Sequence, residues 1–230
     1  MTTKGGKIQF DVGVNIFPAK GVLTASYGDV EMAKLTVVPY PMRTRLVLVI
    51  RVNGATNITV NLGGVNAIYK QAVTEFMFGS EMTFDYPDAP QKWKFKADDI
   101  TQNDLYILCD KIEKHNDFKE IVGTYDHIVV LLPGSLDSNI KPAGATVSKQ
   151  LRDFQNYSFL FSDVGDQQAD IESSLILAHE FGHNFGLDHK DLTGIDLARF
   201  DFDNLMQGPP KKDKSKLRYF QWEIINPFED

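Results

Sequence analysis

Ile8, Phe10, Val12, Val14 and Ile16 alternate with Gln9, Asp11, Gly13 and Asn15, a period of two that predicts a half-buried strand ended by Pro18. A second strand is expected over residues 30–38, closed by Pro39 and Pro41. Residues 44–52 are apolar and β-branched almost throughout, as in a strand covered on both faces. Val65, Ile68, Ala72, Val73 and Phe76 recur at helical spacing and predict a first long helix over residues 62–76. A strand over 82–86 follows, then a loop at Pro87, Asp88 and Pro90. Thr101 is placed to cap a helix running to His115, with Leu105, Leu108 and Ile112 inward. Residues 127–132 form a strong strand stopped by Pro133 and Gly134. Residues 135–156 are rich in turn formers and hold a short edge strand over 144–148. Residues 157–161 make the last sheet strand, and Ile171, Leu175 and Ala178 open another helical pattern. A closing helix is expected over 216–225, with Leu217, Phe220 and Ile224 on one face and Trp222 helping to dock it. Strands alternating with helices predict an α/β (α+β) layered fold.

Composition narrows this picture modestly. The chain has 230 residues and a net charge of −7, with no long run of either sign. That argues against nucleic acid or an anionic membrane as a partner. The basic cluster Lys211, Lys212, Lys214 and Lys216 reads as a solvated loop. No apolar stretch is long enough for a membrane span, and Met1 to Gly6 shows no signal-peptide pattern. The single cysteine, Cys109, lies on an apolar helical pattern and reads as a small buried hydrophobe. His115 and His127 read as surface or strand-end residues.

The chemistry is concentrated in one stretch. Residues 179–189 read His-Glu-Phe-Gly-His-Asn-Phe-Gly-Leu-Asp-His and hold three of the five histidines. His179 and His183 are four apart on the expected helix, so they share a face and can bind one Zn²⁺ at about 2.0–2.1 Å each. Glu180 stands beside them, suited to take a proton from a water activated by the metal. Gly186 tolerates the left-handed conformation that ends a helix, and the turn lets His189 reach the same ion. Three protein ligands leave a fourth position open, as a catalytic zinc requires.

This pattern resembles the signature of metzincin zinc endopeptidases, H-E-x-x-H-x-x-G-x-x-H followed by a Met-turn. The resemblance implies a twisted mixed sheet with two long helices above a cleft and a small, mostly irregular lower subdomain with a C-terminal helix. It implies an upper subdomain over 44–186, a lower one over 187–230, and an N-terminal β extension or pro-segment-like piece over 1–43. It assigns His179, His183 and His189 to zinc, Glu180 to general base, and Met206 to the Met-turn beneath them. It makes the edge strand at Gly144, Ala145 and Thr146 a docking edge for an extended substrate. Tyr219 is a further candidate at the cleft, and Phe200 and Phe202 could line an apolar specificity pocket. Gly208 stands two beyond Met206, where astacin-like members carry a zinc-reaching tyrosine. Lys190 follows the third histidine and matches no familiar branch.

The implied partner is a polypeptide, the implied state a monomer, the source bacterial and the place of action outside the cell. Two other roles fit the same residues: a domain of a larger toxin-like assembly with a vestigial site, and a metal-dependent amidase acting on something other than protein. Asp11 or Asp29 could reach the zinc from a pro-segment, but acidic residues in strand–turn regions are mostly solvated. Asp163, Asp166 and Asp170 raise a structural Ca²⁺ site, but Asp170 capping the zinc helix beside ordinary loop carboxylates is the favoured reading.

Overall fold

The computed structural model describes residues 21–27, 30–37, 40–86, 100–134, 142–147, 156–162, 172–189, 203–208, 210–211 and 214–227. Contacts divide the chain into two units, residues 1–41 with 229–230 and residues 42–228. The first unit holds an antiparallel hairpin of β1 (Gly21–Tyr27) and β2 (Val30–Val37). β2 was expected and β1 was not. The strand expected over residues 8–16 lies outside the described residues, as do Asp11 and Asp29.

The second unit is built on a five-stranded mixed sheet. Its strands are β3 (Arg43–Val52), β4 (Thr74–Phe84), β5 (His127–Leu132), β6 (Gly144–Val147) and β7 (Tyr157–Phe161), in the order β4-β3-β5-β7-β6. The first four neighbours run parallel and β6 closes the row antiparallel to β7. Alternate residues of the inner strands feed two cores. Val47, Val49, Val129 and Leu131 face α1 (Leu62–Tyr69) and α3 (Ser173–Asn184). Leu48, Ile50, Ile128 and Val130 face α2 (Gln102–Lys114), where Cys109 is buried. Covering both faces explains the largely apolar β5 and β7, every residue of which is buried, His127 and Ser158 included.

α2 begins as expected. The Thr101 side chain accepts from the Asp104 N–H, and Asp104 reaches back to the Thr101 N–H, a reciprocal cap. The first expected helix is shorter than its spacing implied. α1 stops at Tyr69, residues 70–72 tighten into a 3₁₀ turn, and Val73 turns the chain at φ 51°. Thr74 then opens β4, an eleven-residue strand that ends at Phe84 and takes in residues 82–84 of the expected 82–86 segment. Ala72 and Phe76 are buried as the apolar spacing required, but by a turn and a strand. Phe76 packs edge-on to Tyr69 with ring centroids 5.0 Å apart, and 4.6 Å from Phe181 of α3. The closing helix α4 is Tyr219–Ile225, also shorter than expected. Gln221 and Ile225 are buried while Ile224 is exposed, so the inward face is shifted by one position.

Candidate metal centre

α3 carries His179, Glu180 and His183, and its end is set by three backbone features. Gly186 adopts φ 88°, the Gly186 N–H donates to His183 O at 2.9 Å, and the Leu187 N–H donates to Gly182 O at 3.0 Å. This is the Schellman pattern, which closes a helix through a left-handed glycine. It brings the buried Leu187 back under the helix, where its carbonyl accepts from His183 Nδ1 at 2.8 Å. The turn that ends the helix therefore also orients one of its histidines.

His179 is held in the same way from farther along the chain. Its Nδ1 donates to Leu205 O at 2.8 Å. A carbonyl can only accept, so Nδ1 carries the proton in both rings and each Nε2 presents a lone pair. His189 completes the group: its Nε2 lies 2.9 Å from His179 Nε2, and one ring nitrogen from each of the three histidines falls within 4.8 Å of the others. Burial, followed by His183, lowers the His179 pKa to about 3. Burial also lowers His183 and His189. Three neutral imidazoles with lone pairs converging on one point fit a zinc ion by donor type, number and protonation state.

Leu205 is held by a braced turn over residues 203–208. The Leu205 N–H donates to Lys216 O at 2.7 Å and the Lys216 N–H to Asp203 O at 2.9 Å. Buried Asn204 accepts from the Met206 N–H at 2.9 Å and donates to Gln221 of α4 at 2.8 Å. Met206 is fully buried and lies against Gly182, where a Cβ would come within 2.4 Å of its Sδ. Asn204 and Gln221 escaped sequence reasoning; an asparagine two residues before the methionine was the available signal.

Glu180 is buried, and burial raises its carboxyl pKa to about 7 against the opposing hydrogen bond from Thr146. Thr146 Oγ1 lies 2.6 Å from Glu180 Oε2. Gly144, Ala145 and Thr146 form β6 as expected, at the edge of the sheet and antiparallel to its neighbour. Tyr219 begins α4, but its side chain lies outside the described residues, as do Phe200, Phe202, Lys190, Asp163, Asp166 and Asp170. Glu172 occupies the N-cap position of α3. Lys214 departs from the expected solvated loop: it is 7% exposed and its ammonium donates to Gln207 O. His127 stands at a strand end, as the first residue of β5, but is buried there, packed against Phe76 and Phe181.

No family model and no curated protein matches the chain in sequence. Its fold is similar to that of metalloproteinase-II from Bacteroides fragilis, with a TM-score of 0.53 at 15% identity over 81% of this chain. The match takes in 52% of that protein, so the chain spans about half its length. An archaemetzincin from Methanopyrus kandleri aligns over 82% of this chain and 97% of its own, at 13% identity and a TM-score of 0.47. A zinc-dependent peptidase from Methanocorpusculum labreanum aligns over 77% and 92%, at 14% identity and a TM-score of 0.37.

Proposed function

We propose that the chain is a zinc-dependent endopeptidase of the metzincin type. One observation carries the reading: three neutral histidines converge at the end of α3 with a buried carboxylate, Glu180, beside them. His179, His183 and His189 would hold the ion. Zinc bound there would supply Lewis acidity toward a peptide carbonyl and would make water acidic enough to act as a nucleophile near pH 7. Glu180 would take a proton from water there and return it to the departing amine, a task suited to a carboxyl that burial holds above its usual range. A purely structural zinc normally takes a fourth protein ligand and needs no such base.

The rest of the chain serves this centre. Met206, on its braced turn, is the Met-turn floor under Gly182. Among the described residues no strand pairs with the outer edge of β6, so its backbone groups are placed to take an extended polypeptide. The cleft lies between an upper subdomain over 44–186 and a lower one over 187–230. The metalloproteinase from Bacteroides fragilis that is similar in fold supports this reading.

Glu180→Ala tests it. The variant is expected to keep one zinc per chain by elemental analysis and to lose cleavage of casein that the wild type performs. Cleavage retained by Glu180→Ala sinks the assignment.

A further inference from the structure

Residues 144 and 146 are two apart on a strand and so point to the same side of the sheet. That side is the one on which α3 lies. A Cβ at Gly144 would meet Glu180 Oε1 and Ile176 Cγ2, both at 2.8 Å. Thr146 Oγ1 lies 2.6 Å from Glu180 Oε2 and 3.1 Å from the Glu180 main-chain oxygen. A hydroxyl has one proton to give, and 2.6 Å is the length of a charge-assisted O–H···O⁻ bond. The Thr146 proton therefore goes to the carboxylate.

The two contacts divide the carboxylate. Oε2 is tied to the strand. Oε1 occupies the space that any side chain at position 144 would fill. On either side of these residues, Ala145 packs toward the α2 face and Val147 is buried in that core, so the strand has little freedom to rotate.

We infer that Thr146 is the positioning residue for Glu180: β6 holds one carboxylate oxygen and leaves the other to move protons. The inference rests on the peptidase reading for the role of Glu180, and it gives the Thr146 side chain to the base rather than to the substrate. The strand whose outer edge takes the substrate backbone is then the same strand that aims the base. A peptide bound along β6 and the Glu180 carboxylate share one rigid reference, which fixes the distance between the attacked carbonyl and the proton acceptor.

Thr146→Val keeps the shape and removes the hydroxyl; Thr146→Ser keeps the hydroxyl; Thr146→Ala covers the case in which valine fails to fold. Each is compared with wild type for zinc content, for kcat and KM on a fluorogenic peptide, and by crystal structure of the zinc-loaded protein. A displaced carboxylate can reduce rate by about a hundredfold per ångström. The valine and alanine variants are expected to lose about 10- to 100-fold in kcat with KM and zinc content unchanged, with serine recovering most of the loss. In their crystal structures Glu180 should leave its place against β6. Wild-type kcat in the valine and alanine variants, a loss confined to KM, or an unmoved Glu180 carboxylate overturns the inference. A wild-type protein that cleaves nothing overturns the peptidase reading instead, and the position of Glu180 in the variant crystals still decides the role of Thr146.

Discussion

Alanine at Gly182 sets two effects of opposite sign against each other. In a helix interior, Gly→Ala is worth about 0.8–1 kcal/mol of stability. Here the new Cβ would stand 2.4 Å from Met206 Sδ and 3.0 Å from Met206 Cε, where ordinary contact begins near 3.4 Å. The sulfur must retreat by about 1 Å. Met206 is fully buried, so its flexible end has no solvent to swing into. Overpacking of this kind costs about 1–3 kcal/mol. The net expectation for the metal-free protein is a loss of between about 0 and 2 kcal/mol, read by urea unfolding. The larger consequence falls on the metal. Leu205, next to Met206, supplies the carbonyl that orients His179. Disturbing such a partner lowers metal affinity by about 10- to 100-fold, measurable by competition with a zinc-binding dye. The cycle with Met206→Ala isolates the cause: once the thioether is gone, Gly182→Ala should become stabilising by about 1 kcal/mol. A single Gly182→Ala variant that is already stabilised by that amount, with wild-type zinc affinity, would show that Met206 does not lie against Gly182.

Two further outcomes follow from buried polar groups. Asn204→Ala removes the acceptor of the Met206 N–H and the partner of Gln221, and should destabilise by about 2–3 kcal/mol in urea unfolding; a change under about 0.5 kcal/mol would mean the brace carries nothing. Burial, as its largest cause, lowers the His127 pKa from 6.5 to about 3, and its buried Nδ1 has no hydrogen-bond partner among the described residues. The unfolded chain therefore binds this proton first, so stability present above pH 6.5 is lost as pH falls from about 6.5 toward 3, by about 2 kcal/mol at pH 5. His127→Phe should flatten the acid side of the stability profile by that amount, and an unchanged slope would refute a neutral buried imidazole.

The chemistry was more legible in the chain than the path that delivers it. The spacing of His179, Glu180, His183, Gly186 and His189 encodes a local geometry, one helix face and one left-handed turn, and local geometry follows from local sequence. β5, β7 and the Thr101 cap were readable for the same reason. The turn at Val73 was not, because a β-branched residue at positive φ gives no turn signal and Phe76 fits a helical spacing as well as a strand. The Lys214 ammonium sits against a main-chain carbonyl, and no side-chain pattern announces a carbonyl. Thr146 and Glu180 meet across 34 positions, a contact made by the order of strands in the sheet.

The partners of His179 and His183 have a consequence for how such a centre can be inherited. Both rings are steered by peptide oxygens, of Leu205 and Leu187, and every residue type at those positions brings the same oxygen. Mutation can rewrite the side chains around the centre while the atoms that aim the imidazoles stay in place, so long as the two turns survive. A scaffold of this kind can change most of its side chains and keep its shape, and 81% of this chain is similar in fold to a protein with which it shares 15% identity.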